Sequence, residues 1–476
     1  MGSTPVPAEP RPAAQRWRLW RPRLRDLLPM ALMLVIIACA AGVVIRREHA
    51  FSQIDEFQHF NYITELVYNH RIPVPGDTFT QQAMRAHACH LSTHEPRQPP
   101  CDSVSFDPLS FETGGQATTG GYPPAYYVPT AGVAWVVSKA IGAKDLFVPA
   151  RLASVLWLLL GAALTYLLAR SLAVGRWVAA GLTLLAALSP IMLYQGATVN
   201  PDAMSLLAGS GTAVAWLALR AVPRWWSVAA LGAVLTFVAW IKPNFVAVPI
   251  AVALAEVALA ARPGPRALIN RATWSVRGPA TRVCAAAAAA VALGLAWPLY
   301  FRVVLASAAA RGPSNKAFGR APWNTDIALR GLANSLRPLS GLPTMFNHGS
   351  FVLFSAVVDV LALSGVVGVA MMSRRRELPR DLVSSGPGAP PIDALRAVAY
   401  LAAASLVVAA PVTYAIVGAS GAFIIYPPRY SLFLIPLGLV ALAGLASGSD
   451  AAAAEPPEPS QESTASQDPT PLPASA

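Results

Sequence analysis

The chain has 476 residues, of which 55% are hydrophobic and only 13% are charged. Soluble domains carry about 25% charged residues, so this composition argues against a soluble protein. The formal net charge is +12. Because cytoplasmic loops of membrane proteins are rich in Lys and Arg, this excess does not indicate a nucleic-acid partner.

Apolar runs rich in Ala, Leu and Val recur between residues 27 and 447. Each is close to the ~20 residues that cross a bilayer as a helix. They lack the alternating pattern of a transmembrane β-barrel, and a helix satisfies its own backbone polar groups in lipid. The sequence therefore predicts an all-α, polytopic integral membrane protein in contact with the lipid bilayer.

The N-terminal part of the chain combines a basic segment, a first apolar run and a long polar stretch. Residues 1–26 are basic, and we interpret the run at 27–45 as a retained anchor whose N-terminal side is cytoplasmic. Residues 46–122 hold nine acids and five bases, a balance unlike that of the rest of the chain. We expect a large first outer loop with interfacial helices over residues 46–148.

Nine further spans follow. The turns between them alternate in charge, and the Arg-rich turns fall on the side assigned to the cytoplasm, which favours this topology. The run at 125–142 is ambiguous: we interpret it as a helix in the outer interface or dipping part-way into the bilayer, and an eleventh span stays open. We predict a second outer loop at 304–349 and a disordered cytoplasmic tail at 448–476. The later spans are at about 149–169, 177–194, 202–220, 226–241, 245–261, 283–303, 350–372, 395–418 and 431–447.

Polar residues suited to chemistry collect on the outer side. Asp55 and His59 share one face of a predicted amphipathic helix with Gln58 and Tyr62. The alternative is a solvated polar face on an interfacial helix. Tyr122 opens the Tyr-Pro-Pro turn, which is better explained as a rigid turn with interfacial aromatics than by direct catalysis.

Three further segments carry charge or amide groups between spans. Asn200 and Asp202 flank a proline at the start of a span, where Asp is commonly an N-cap. Lys242 and Arg429 are cations beside apolar spans, where a functional role is the usual expectation and snorkelling the alternative. Together they could bind a phosphate or diphosphate at the outer surface.

The cysteine distribution favours a disulfide between Cys89 and Cys101, which both lie in the first outer loop. Neighbouring histidines leave a metal site as the alternative, although the spacing matches no standard zinc pattern. Cys39 and Cys284 lie in predicted spans and are interpreted as apolar fillers.

Asp55-Glu56 soon after the first span, Tyr122-Pro123-Pro124 and then Asn200-Pro201-Asp202 resemble the GT-C superfamily of membrane glycosyltransferases. Protein O-mannosyltransferases and lipid A aminoarabinose transferases are its familiar members. The resemblance is closest to bacterial membrane proteins of unknown function with GT-C-like features. It covers residues 27–245 by motif and the rest of the domain, to residue 447, by architecture.

The resemblance implies a polyprenyl-phosphate-linked sugar as donor and an envelope glycan or glycolipid as acceptor, on the outer face of a bacterial plasma membrane. It implies Asp55 as the catalytic base, Glu56 as the acid that accompanies it, and Asp202 as a second acid near the acceptor. We expect His59, Tyr122, Asn200, Asp202, Lys242 and Arg429 to bind substrate. No certain cofactor or metal ligand is predicted, although two outer acids could hold Mg²⁺ or Mn²⁺.

Two other functions stay open at this point. A transporter or lipid flippase would place ionisable residues within spans, and Glu256 and Asp359 are the main examples. A non-catalytic envelope assembly protein that kept the scaffold is the third possibility.

Overall fold

The protein is helical in the part of the chain that the structure describes. In this computed structural model, the only β-type pairing among the described residues is an isolated bridge between Thr78 and Gln116. The predicted all-α class is confirmed for these residues. The described residues are 24–52, 54–74, 76–90, 99–222, 224–261, 278–304, 329–331, 333–334, 336–339, 349–374, 392–418 and 428–453.

Fourteen described helices of eight residues or more are numbered here in chain order. Short 3₁₀ turns precede three of them, at Pro201–Met204, Pro243–Val246 and Pro428–Ser431. The helices are α1 (Leu24–Arg47), α2 (Glu56–Tyr68), α3 (Gln81–Cys89), α4 (Tyr127–Ile141), α5 (Phe147–Ser171), α6 (Arg176–Ala187), α7 (Pro190–Ala197), α8 (Ser205–Ala221), α9 (Trp225–Ala239), α10 (Ala247–Ala261), α11 (Pro279–Val304), α12 (Gly349–Arg374), α13 (Ile392–Gly418) and α14 (Leu434–Ala453).

Seven segments in the described part are long and apolar enough to cross a membrane, and a bent pair of helices raises this number to eight. They correspond to α1, α5, α8, α10, α11, α12 and α13, with α6 and α7 as the bent pair. This set supports the predicted class, a polytopic α-helical membrane protein. At the predicted spans 226–241 and 431–447, the apolar stretches are shorter than this criterion requires: they are Trp225–Ala239 and, within α14, Leu434–Ala446. Helix α4 is not among the candidate spans.

The predicted span at 177–194 is not one straight helix. The chain bends by 72° between α6 and α7. Ser189 adopts extended backbone angles and Pro190 begins α7. A proline disfavours helical geometry in the residue before it, which explains why α6 ends at Ala187.

Two predicted boundaries differ from the structure. The first helix begins at Leu24, slightly before the predicted start of the span. The last helix extends to Ala453, so the segment after residue 447 begins as helix and not as a disordered tail. The rest of that tail, most of the second outer loop at 304–349 and residues 1–23 lie outside the described residues.

Helices α1 and α5 pack side by side in opposite directions. At one end of the pair, Arg170 contacts Asp26 at 3.3 Å and the Tyr166 hydroxyl donates to the Asp26 carbonyl. At the other end, Arg151 donates to the Glu48 carbonyl just after α1. The candidate functional residues all lie at this second end.

Glycine residues allow helices α12 and α14 to approach each other closely. A Cβ atom at Gly438 in α14 would lie 2.4 Å from the Ala362 carbonyl oxygen of α12, and one at Gly365 would lie 2.1 Å from the Gly438 carbonyl oxygen. Such contacts through small residues are a main source of helix association in lipid, where burial of apolar surface contributes little.

Candidate functional site

Asp55 is the accessible acid of the candidate site. It immediately precedes α2 with a φ of 57°, in the left-handed region that Asp tolerates better than most residues. Its side chain does not cap the helix and is 60% exposed. The carboxylate instead accepts a hydrogen bond from Nη2 of Arg429 at 3.0 Å.

Glu56, the next residue, is fully buried and has its oxygens occupied. Arg151 donates to both of them, at 2.8 Å from Nε and 2.6 Å from Nη2. The backbone N–H groups of Ser52 and Val199 donate to the same carboxylate at 2.6 and 2.9 Å. The prediction of a catalytic Glu56 is therefore wrong, because this carboxylate cannot reach a substrate and instead joins three segments of chain.

Arg151 is the residue that sequence reasoning missed. It lies in the first two turns of α5, is fully buried, and stacks 4.1 Å from the centre of the Phe147 ring. Its Nη2 also donates to the Ala50 carbonyl at 2.7 Å. The signal in the sequence was a lone Arg inside an apolar run, which is costly in lipid unless it is paired.

Asn200, and not Asp202, is the N-cap of the turn between α7 and α8. The Asn200 side-chain oxygen accepts the Asp202 N–H at 2.9 Å, and its amide donates to the Ile54 carbonyl at 3.3 Å. The interpretation of Asp202 as a capping residue is therefore wrong. Asn200 ties this turn to the residue before Asp55, so its role is to position the site.

Asp202 and Lys242 form a buried ion pair. Lys242 Nζ lies 3.1 and 3.2 Å from the two carboxylate oxygens of Asp202, and the Lys242 side chain is only 4% exposed. The same Nζ lies 4.2 Å from the centre of the Tyr430 ring. Lys242 thus pairs with Asp202 from the buried side of the site and is poorly placed to contact a substrate directly.

Arg429 connects the two acids. Its Nη2 bonds to Asp55, while its Nε lies 3.5 Å from Oδ2 of Asp202. The side chain is 20% exposed, which makes it the more accessible of the two predicted phosphate-binding cations. The structure thus brings Asp55, Asp202, Lys242 and Arg429 together in an alternating row of charges.

His59 is buried on α2 behind this row. Its Nδ1 lies 2.7 Å from the Tyr127 hydroxyl. Burial, with smaller contributions from Lys242 and Arg429, lowers the pKa of His59 well below its usual value of 6.5. His59 is therefore a neutral imidazole near pH 7, suited to hydrogen bonding and not to holding positive charge.

Tyr122 lies close to His59, with 5.9 Å between the ring centres. Burial raises the pKa of Tyr122, and the nearby Tyr430, Asp55 and Asp202 raise it further, so its hydroxyl stays protonated. Tyr126 and Tyr127 are also buried, and Tyr127 stacks on Tyr62 with 3.8 Å between centres. The alternative in which Tyr126 and Tyr127 are interfacial aromatics is therefore wrong.

Helix α2 has no solvated polar face. Residues 56–65 are all buried, although they include Gln58, Asn61 and Thr64. Gln58 donates to Glu112 and accepts from the Thr118 N–H, and Asn61 accepts from the Thr80 N–H. The first loop covers this side of α2 and bonds to most of its polar groups, while Nδ2 of Asn61 is buried without a hydrogen-bond partner among the described residues.

Cys89 and Cys101 form a disulfide, with 4.6 Å between their Cα atoms. Close to it, His90 at the end of α3 contacts Asp145 at 2.9 Å, which joins this part of the loop to the start of α5.

The described residues provide little for a divalent metal. No three His, Cys, Asp or Glu side chains converge among them. Asp55 and Asp202 are each bound by a cation, whereas Mg²⁺ and Mn²⁺ prefer a shell of free oxygen ligands. The suggested Mg²⁺ or Mn²⁺ does not fit these residues as they are arranged, and we derive no step from it.

The geometry combines an accessible carboxylate, an accessible guanidinium and a buried neutral histidine, on segments that are far apart in sequence. Such a site can accept a proton and can bind an anionic group in the same place. The chain matches no model of a known protein family, and no curated protein is significantly similar to it.

Proposed function

We propose that the protein is a membrane glycosyltransferase that moves a sugar from a polyprenyl-phosphate donor to an envelope glycan or glycolipid acceptor. The observation that carries the proposal is the contact between Asp55 and Arg429. It places an accessible carboxylate beside an accessible cation at one end of a helical membrane domain. The GT-C resemblance of the Asp55-Glu56, Tyr122-Pro123-Pro124 and Asn200-Pro201-Asp202 segments supports the same function.

In the proposed reaction, the acceptor hydroxyl oxygen attacks the anomeric carbon of the donor sugar. The bond between that carbon and the phosphate oxygen breaks, and its electron pair leaves with polyprenyl phosphate. Asp55 takes the hydroxyl proton as general base. Arg429 stabilises the charge that develops on the departing phosphate. The single displacement inverts the configuration at the anomeric carbon.

The remaining residues have supporting roles in this proposal. Lys242 pairs with Asp202 and holds it in place, and Asp202 in turn lies beside Nε of Arg429. Protonated Tyr122 offers a hydrogen bond to a sugar hydroxyl, and buried His59 holds the Tyr127 side chain in place. Glu56, Arg151 and Asn200 position the segments that carry Asp55 and Asp202.

The proposed setting is a bacterial plasma membrane with the site on the outer side. Ten spans, with the N-terminus in the cytoplasm, are supported by the Arg-rich turns that carry Arg170 and Arg176 and by the disulfide of the first loop. In this arrangement α6 and α7 together count as one span, and α9 and the stretch Leu434–Ala446 of α14 cross the membrane as short apolar segments.

The test is sugar transfer by purified protein from a panel of radiolabelled polyprenyl-phosphate sugars. Wild type is compared with Asp55→Asn and with Asp102→Asn, which changes an exposed acid elsewhere in the first loop. We expect Asp55→Asn to lose transfer while it still binds donor, and Asp102→Asn to behave like wild type. Transfer that is indifferent to Asp55 would refute its role as base.

The surroundings of Asp359 favour transport as the second candidate function. It is buried in candidate span α12, accepts a long hydrogen bond of 3.3 Å from the Leu339 N–H, and has apolar residues such as Leu406 and Leu434 lining the cavity beside it. A carboxylate in such surroundings is a functional candidate in membrane proteins. Vesicle transport that requires Asp359 but not Asp55 would favour this function over glycosyl transfer.

A further inference from the structure

One face of α4 is exposed and apolar. Val128, Gly132, Trp135 and Val136 recur on it at helical spacing, and Trp135 is 50% exposed. The opposite face is buried against α2 and α5. Within the described part of the chain, nothing covers this surface, although apolar surface of this kind is rarely left in water.

The end of α1 marks the level at which the membrane surface meets the protein. Arg46 and Arg47 are exposed there, whereas Val43, one turn earlier, presents an exposed apolar side chain. Arg151 donates to the carbonyl of Glu48, the residue after α1, so Arg151 of α5 lies at the same level. Exposed Arg at a helix end is typical of the headgroup region.

The beginning of α4 lies deeper than this level. The Tyr126 hydroxyl lies 2.8 Å from Oγ of Ser154, and Trp157 Nε1 donates to Oγ of Thr130 at 2.9 Å. Ser154 and Trp157 are three and six residues beyond Arg151 on α5. At 1.5 Å per residue, they lie about 5 and 9 Å further along the helix.

The other end of α4 lies at or above the level of Arg151. Gly142, with a φ of 62°, ends α4, and a short turn leads directly to Phe147 at the start of α5. Lys139 and Lys144 are exposed at this end. Helix α4 is therefore inclined, with basic residues at its shallow end and Val128 at its deep end.

The exposed face of α4 continues an apolar stripe on α5. Val148, Leu152, Leu156 and Leu160 of α5 are exposed at every fourth position of a candidate span, as expected of side chains that contact lipid. Helix α4 packs beside this stripe and covers the same range of depth in the bilayer as Val148 to Leu156 of α5. A bilayer changes with depth from charged headgroups to apolar acyl chains. The exposed side chains of α4 change in the same order, from basic Lys139 to apolar Val128.

We propose that α4 is inserted obliquely into the outer leaflet, with its Val128–Val136 face against acyl chains and Lys139 among the headgroup phosphates. The partner of this surface is the lipid bilayer itself. The opposite, buried face of α4 carries Tyr127, which contacts His59, so α4 lies between the candidate site and the acyl chains. The depth of α4 does not depend on which reaction the site performs.

The experiment measures the depth of nitroxide spin labels by power saturation, with oxygen and a water-soluble nickel chelate as relaxing agents. Labels are attached to Val128→Cys, Val136→Cys and Ile141→Cys in full-length protein that carries Cys39→Ala and Cys284→Ala. Vesicles of phosphatidylcholine and phosphatidylglycerol are used. Leu156→Cys and Val148→Cys on α5 are the matched references.

We expect Val128→Cys to be as deep as Leu156→Cys and about 10 Å deeper than Ile141→Cys, which is expected at the level of Val148→Cys. Equal depth along α4 would overturn the proposal in favour of a helix lying flat at the surface. Strong relaxation by the nickel chelate at Val128 and Val136 would overturn it in favour of a surface in water that binds a soluble partner.

Discussion

Arg429 donates a hydrogen bond to Asp55 at 3.0 Å, although 374 residues separate the two in sequence. The same guanidinium approaches Asp202 with its Nε atom at 3.5 Å. A planar fork can meet both acids at once, whereas a point charge cannot.

The first prediction follows from this geometry. Arg429→Lys keeps the positive charge but loses the planar group that donates to Asp55 while it faces Asp202, and a charge-assisted hydrogen bond such as the one to Asp55 contributes about 1.5–3 kcal/mol. We expect kcat/KM for sugar transfer to fall about 10- to 100-fold. Arg85→Lys, an exposed position on α3, is the control. Equal activity of Arg429→Lys and wild type would show that the fork is not needed.

The second prediction concerns the buried pair of Glu56 and Arg151. Arg151→Met leaves a carboxylate without its cation in a fully buried place, and we expect a loss of about 3–5 kcal/mol in the free energy of unfolding. Adding Glu56→Gln to Arg151→Met removes the uncompensated charge and should recover part of this loss. Chemical unfolding in detergent, with the exposed Arg85→Met as control, measures both effects. A double variant no more stable than Arg151→Met would contradict the explanation.

The third prediction is a pH dependence that arises from His59. Its pKa is lowered in the folded protein by burial and by Lys242 and Arg429, so below pH 6.5 the unfolded chain binds a proton that the folded protein does not. Stability therefore falls as the pH falls through this range, by up to about 1.4 kcal/mol per pH unit.

His59→Gln removes this contribution, so its stability should decrease less than that of wild type between pH 7.5 and pH 5.5. The loss in wild type should exceed that in the variant by about 1.4 kcal/mol at pH 5.5. His70→Gln, which removes an exposed histidine just after α2, is the matched control. Parallel losses in wild type and His59→Gln would rule out His59 as the cause.

The fourth prediction tests the close approach of α12 and α14. Gly438→Ala would place a Cβ atom 2.4 Å from the Ala362 carbonyl oxygen, and we expect a loss of about 1–3 kcal/mol from overpacking. Gly232→Ala in α9 meets no atom within 4 Å and should be neutral or slightly stabilising, since Ala favours helix over Gly. Unfolding midpoints in the same detergent compare the two. Equal unfolding midpoints for the two variants would mean that α12 and α14 can move apart without a loss of stability.

The sequence predicted the membrane class and the residues of the charged row, because apolar runs and isolated charges beside them are local signals. It did not predict which charges pair. Arg151 lies within an apolar run and was therefore counted as part of a span. Nothing near it in sequence indicates that it pairs with Glu56, which is 95 residues away. The bend between α6 and α7 was missed because hydropathy is continuous across it, although Ser189-Pro190 carried the signal.

Asp202 was misinterpreted for a related reason. Asn and Asp both cap helices, so two such residues on either side of a proline leave the capping residue undetermined by sequence. The structure assigns the cap to Asn200, which frees Asp202 for Lys242. That choice depends on a cation from a segment that lies 40 residues further along the chain.

The contact between Asp55 and Arg429 also constrains how the protein is made. Asp55 leaves the ribosome early, together with α1, whereas Arg429 follows only after α13 has been synthesised. The charged row can thus close only when the final helices join the bundle, and a nascent chain that stops before them has no complete site. Loops of this length close slowly, so assembly of the site is expected to be among the last steps of biogenesis.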